Sequence, residues 1–199
     1  MGRKSLAEIR REEIINAFLK ILSEKGFENA TVREIAQEAG CTHRMLHHYF
    51  STKEALIIAA IEDFVASYAP GLEEKLSVCH SPTEKIRSFF QWFMNPEGFD
   101  VAQLRSWIQT WALSTNHPAI LDAVKNWYGR IKGIIAEIVR EGIEEGEFRD
   151  VNPQTAAELI LESSEGAAAL AVMDRDDSTR PSVASARTRM YLEYLGCDG

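Results

Sequence analysis

The chain has 199 residues, of which 45% are hydrophobic and 26% charged, with a net charge of −8. A chain of this size can bury a substantial core in one or two domains, and this balance excludes a disordered polymer. No apolar run approaches the ~20 residues that span a bilayer, and the charged start MGRKSLAEIRREE lacks the apolar stretch of a signal peptide, so a cytoplasmic protein with no membrane partner is expected.

Helix signals dominate and strand alternation is nearly absent. The first helix is expected over Leu6 to Lys25, with Ile14, Ile15, Phe18, Ile21 and Leu22 on one face and Gly26 as its stop. Thr31 and Glu34 have the spacing of a capping box and open a second helix that ends at Gly40. Thr42 caps a third, which runs to about Tyr49. Ser51 and Glu54 match the capping-box spacing again and open a fourth, with Leu56, Ile57, Ala60, Ile61 and Phe64 on one face. Ala69, Pro70 and Gly71 are expected to close it.

Ser81, Pro82 and Glu84 start a fifth helix, with proline in its first turn. Asn95 to Gly98 break it, and Asp100 can cap a sixth through about Ser114. Asn116 and Pro118 start a long seventh ending near Gly146, and Asn152 and Pro153 an eighth through about Met173. After the polar loop from Asp174 to Thr179, a last helix ends at Gly196. The reading is all-α, about nine helices, with a three-helix head over residues 1–52 and a helical body over residues 53–199.

The charge is divided unevenly. Residues 1–53 hold nine of the 22 Lys/Arg and seven of the 30 Asp/Glu, together with three of the five histidines. A neutral-to-basic head on an acidic body can bind DNA with one face and hold the rest away. The three cysteines (Cys41, Cys79 and Cys197) are far apart and form no CxxC, which reads as free thiols in a reducing compartment.

The second and third helices have the form of a helix–turn–helix, in which the second member presents side chains to base edges while neighbouring groups touch phosphates. Ala36 and Ala39 are small, as a close helix crossing requires. Leu46 and Phe50 should pack inward, leaving His43, Arg44, His47 and His48 for the groove. His43 and His47, four apart, have the spacing of a metal pair, but no cysteine or acidic ligand supports them in that helix, and no metal or cofactor is expected.

TVREIAQEAG, followed by a turn residue, three further residues and then MLHHYFSTKEAL, closely resembles the DNA-binding signature of TetR-family transcriptional regulators over about residues 10–60. The resemblance implies that Thr31, Thr42, Tyr49 and Lys53 hold the DNA backbone and that Arg33 and His43 face bases, Arg33 being suited to guanine. His47 departs from the family, which usually has tyrosine there. Arg3 and Lys4 could add a basic arm on the phosphates. Charged imidazoles on phosphate would make binding weaken as pH rises through the histidine range.

All four tryptophans lie within 36 residues. Phe89, Trp92, Phe93, Trp107, Trp111, Trp127 and Tyr128 read either as core or as the lining of a cavity. TetR-family bodies hold a small-molecule pocket, and the aromatic, acidic character suits a cation or an apolar ligand. The stretch from Trp111 to Phe148 also resembles the betaine-regulator branch of the family. One head reads a half-site, so a homodimer on palindromic double-stranded DNA is expected. Its face is read on Leu159, Ser163, Gly166, Ala167, Leu170, Ala186 and Met190, the alternative being that these close the monomer's core.

The expected function is that of a regulator, a repressor released by a small-molecule effector. A ligand-independent DNA-binding protein is the alternative, although an architectural protein would be basic over most of its surface. An enzyme is disfavoured: there is no HExxH, glycine-rich phosphate loop, GxSxG or triad, and Asp100 and Glu137 read as cap or surface acids.

Overall fold

The computed structural model describes residues 5–94, 101–173 and 180–197. Its elements are α1 (Leu6–Lys25), α2 (Val32–Glu38), α3 (His43–Tyr49), α4 (Lys53–Ser77), α5 (Pro82–Met94), α6 (Val101–Ser114), α7 (Pro118–Glu144), α8 (Pro153–Met173) and α9 (Arg180–Leu195). The fold is all-helical among the described residues, as the sequence predicts. Arg3, Lys4 and Asp100 lie outside those residues, as do the side chains of Phe64 and Phe93.

The chain packs as two units. The first comprises Met1–Ala66 with Val101–Lys125, the second Ser67–Asp100 with Asn126–Gly199.

In the first unit α1 carries a buried row of Ile14, Ile15, Phe18, Ile21 and Leu22. Ile35, Ala36, Leu46, Phe50, Leu56 and Ile57 are buried in the same unit. α1 packs on α2 and on α6, and the Ser106 hydroxyl donates to the Leu19 carbonyl at 3.3 Å. Ser106, Thr110 and Ser114, four apart along α6, are all buried. Small hydroxyl residues allow close helix approach, and the Thr110 and Ser114 hydroxyls satisfy themselves on carbonyls of their own helix.

In the second unit Ile131, Ile135 and Val139 of α7 are fully buried, as are Ile86 and Phe89 of α5 and Ile160 of α8. α5 packs on α8 and α9. Phe90 stacks on Tyr191 at 5.6 Å, whose hydroxyl donates to the Leu159 carbonyl at 2.7 Å. The Glu147 carboxylate accepts from both the amide and the hydroxyl of Thr83, tying the loop after α7 to the first turn of α5.

Two expectations about α4 are corrected. The cap is Thr52 rather than Ser51: its hydroxyl accepts from the Ala55 amide at 3.1 Å. Glu54 is therefore not the partner of a capping box and lies 3.5 Å from His117 Nδ1 instead. The start is set by contacts on either side, Phe50 being extended and buried and Lys53 anchored on the Phe27 carbonyl.

Nor does α4 stop at Ala69, Pro70 and Gly71; it continues to Ser77. A proline inside a helix costs roughly 3 kcal/mol. Beyond it Leu72 and Leu76 are buried, each such side chain contributing about 1.5–3 kcal/mol. A Cβ added at Gly71 would stand 3.1 Å from the Trp92 ring, so the glycine permits close approach there and does not end the helix.

Candidate nucleic-acid interface

The reading face is built by caps and turns. Gly26 ends α1 at φ 78° and Gly40 lies in the turn after α2 at φ 60°; both conformations suit glycine because a Cβ would be strained. The Cys41 amide returns to the Ala36 carbonyl at 2.9 Å, which fixes the chain between the two helices. Burial pushes the Cys41 thiol up from its ordinary value, which makes it a poor thiolate.

Thr42 caps α3, its hydroxyl accepting from the Met45 amide at 3.1 Å. That leaves the hydroxyl hydrogen available to an incoming oxygen. Along α3, Leu46 and the following Phe50 are buried, whereas His43, Arg44, His47 and His48 are exposed. The helix thus has one face in the core and one in solvent. The His43 and His47 rings meet edge to face at 4.5 Å, and Tyr49, half-buried, meets His48 at 5.5 Å. His47 therefore supports the His43 ring from one turn further along.

Arg33 is exposed on α2. Thr31 forms the expected capping box: its hydroxyl accepts from the Glu34 amide at 3.2 Å and donates to Glu34 Oε2 at 2.8 Å. The other carboxylate oxygen takes Lys25 Nζ at 2.5 Å. These bonds hold the Glu34 carboxyl down at about 2, the Lys25 bond being the largest cause and the Thr31 bonds the next. Lys25 is correspondingly raised by its bond to Glu34.

Lys53 is the residue whose placement differs most from the simple reading. Its ammonium donates to the Phe27 carbonyl at 2.9 Å and sits over the Phe27 ring at 4.5 Å. One of its three hydrogens is thereby spent on the carbonyl. The same Phe27 ring meets His117 edge to face at 5.9 Å, so α4, the loop after α1 and the start of α7 join at one residue. Sequence reasoning missed this joint because its members are 26 and 90 positions apart.

In the second unit Phe89 and Trp127 are buried and Trp92 and Tyr128 half-buried, whereas Trp107, half-buried on α6, belongs to the first unit. Trp111 is 58% exposed. Lys75 Nζ lies over the Trp92 ring at 4.7 Å, so that ring already faces a cation. On α8 and α9, Leu170 is 65% exposed and Met190 51%; Leu159, Gly166 and Ala186 are also exposed, with Ser163 and Ala167 half-buried. Among the described residues no group of three or more His, Cys, Asp or Glu side chains could hold a metal ion, and no helix is long and apolar enough to cross a membrane.

Residues 14–60 match the model of the tetR family of bacterial regulatory proteins, and residues 82–195 match that of the BetI-type transcriptional repressor C-terminal domain. The chain belongs to the TetR family. The family is one of transcriptional regulators and not of enzymes, and its DNA-binding helix–turn–helix lies within the matched N-terminal residues. Among curated relatives, the HTH-type transcriptional regulator BetI of Serratia proteamaculans is 25% identical over 122 residues, 60% of this chain and 62% of that protein. The match thus spans about three fifths of the relative's length.

Two solved TetR-fold structures are similar in fold. A TetR transcription regulator from Haloarcula marismortui has a TM-score of 0.83 at 21% identity, covering 94% of this chain and 98% of that one. A transcriptional regulator from Saccharomonospora viridis, solved in complex with choline, has a TM-score of 0.80 at 20% identity, covering 92% and 95%.

Proposed function

We propose that this TetR-family chain is a homodimeric repressor of the BetI-like branch that leaves a palindromic operator when a small molecule binds its body. The observation that carries the DNA-reading half is the two-sided α3, with Leu46 buried and His43, Arg44, His47 and His48 exposed. A helix anchored this firmly can enter a major groove without losing its core. In this reading Arg33 and His43 face bases, Thr42, Tyr49 and Lys53 hold phosphates, Thr31 joins them only when its hydroxyl leaves the Glu34 carboxylate, and Arg44, His47 and His48 line the groove. Residues 1–52 are the reader and residues 53–199 hold the effector and the dimer face.

For the effector, the reading is a quaternary ammonium of the choline or betaine class. It rests on the BetI-type C-terminal match, on the choline bound to the Saccharomonospora relative, and on a Trp92 ring that accepts the Lys75 ammonium on its face. Aromatic faces bind quaternary ammonium groups by cation–π attraction. Phe89, Trp92, Trp127 and Tyr128, all of the second unit, remain candidates for the lining, of which the half-buried Trp92 and Tyr128 are best suited to meet a ligand. α4 runs from the reader into the body and would carry the change; the effector must bind the DNA-free arrangement more tightly to shift it.

Choline and betaine titrated into the protein, with melting temperature and affinity for a selected duplex followed together, test the effector class. A rise in melting temperature with loss of DNA affinity is expected. If neither compound moves either quantity, the effector assignment fails and the DNA-reading half stands.

A further inference from the structure

The arginines of the first unit are not alike. Arg33 and Arg44 are exposed on α2 and α3, whereas Arg11 of α1 is half-buried and engaged on two sides. Its Nη1 donates to both carboxylate oxygens of Asp63, at 2.6 and 2.7 Å. Its guanidinium carbon also stands 5.7 Å from the centre of the Phe50 ring, within the range of cation–π attraction. Phe50 is the buried residue that closes α3, and its extended backbone leads the chain toward α4. Asp63 lies in the third turn of α4, about 15 Å along the helix from its start. One side chain of α1 therefore holds both the end of α3 and the third turn of α4, all within the first unit.

We infer that Arg11 is a positioning residue for DNA reading: held by Asp63, it pins Phe50 and so sets the angle between α3 and α4. The inference rests on the DNA-reading half of the proposed function. Arg11 acts through Phe50 and does not itself touch the duplex, because its charge is met by Asp63. Base contacts depend on the angle at which α3 enters the groove, whereas the attraction of phosphates tolerates a tilt. Loosening the pair should therefore cost base contacts and leave the phosphate contacts in place. The expected loss is at least about fivefold in affinity per half-site, the size of one misplaced base contact.

The test uses the full chain and a fluorescent duplex that the unsubstituted protein has enriched from a random library, well below the melting temperature of every variant. Asp63→Asn is the deciding variant. It keeps the size of the side chain and removes a negative charge, so electrostatics alone would strengthen binding, as would an Arg11 released to meet a phosphate. The inference predicts the opposite: a loss of at least about fivefold, matched by Arg11→Gln. The double variant should lose less than about twofold beyond either single one, since all three break the same contact. Affinity for a random duplex should change by less than about twofold, and Arg11→Gln should keep the salt slope of the unsubstituted protein.

Tighter binding by Asp63→Asn would overturn the inference. So would a salt slope for Arg11→Gln that is shallower by about one charge, which would make Arg11 a phosphate contact. Unchanged affinity in both single variants, with only the melting temperature lowered, would reduce the pair to a structural one and overturn it as well. If the unsubstituted protein enriches no duplex, the DNA-reading function fails and the inference with it.

Discussion

Thr31 and Glu34 form the best-determined pair in the head, because cap, carboxylate and lysine close on one another. Glu34 has a carboxyl held at about 2, below its unfolded value of 4.5. A depressed acid contributes stability that is complete above its unfolded pKa and is lost as pH falls through the folded one. The melting-temperature advantage of the native chain over Glu34→Gln should therefore hold above about pH 4.5 and disappear toward pH 2. Parallel acid profiles for the two proteins would contradict the geometry. The cap itself is legible in the sequence, since hydroxyl and carboxylate are three residues apart in one local motif. Lys25 on Glu34, Lys53 on Phe27 and His117 beside Glu54 are not, because only the packing of separate elements brings them together. The His43, His47 and Leu46 pattern was legible for a different reason: helical periodicity alone separates the buried position from the exposed ones.

At the scale of elements, the helix order follows from caps and apolar periodicity, whereas α4 was misread twice. Thr52 and Ser51 offer hydroxyls at adjacent positions, and periodicity cannot choose between them; the burial of Phe50 and the anchoring of Lys53 do. Pro70 and Gly71 carry the local signs of a stop, yet Leu72 and Leu76 have a core to enter and Gly71 gives Trp92 its place. Tertiary burial outweighed a local breaker of similar size. A second glycine works in the same way. A Cβ added at Gly142 of α7 would overlap the ring of Phe148, which is buried and whose amide bonds the Gly142 carbonyl at 2.8 Å. Gly142→Ala should destabilise the chain by about 1–3 kcal/mol, as overpacking does, despite alanine's better helix propensity. Chemical denaturation measures this; a stability equal to or above that of the native chain would show that the ring is not held there.

For the whole molecule, α8 has two faces. Ala156, Ala157, Ile160 and Leu161 are buried in the chain's own unit, while Leu159 and Leu170 are exposed. The proposed dimer face is read on the exposed side. Deleting α8 and α9 would remove core as well as surface, so point substitutions separate the two. Leu170→Glu with Met190→Glu should leave the fold intact and halve the mass in solution, as seen by sedimentation, with DNA affinity falling by orders of magnitude as the second half-site is lost. A double variant that remains a dimer would move the interface elsewhere.

The most direct measurement of the account is enrichment of the full chain's ligands from a random duplex library, followed by protomer stoichiometry on the enriched DNA. The account predicts a two-fold symmetric motif bound by two protomers, with affinity falling steeply as salt rises. No enrichment over random DNA, or an asymmetric site bound by one protomer, would contradict it.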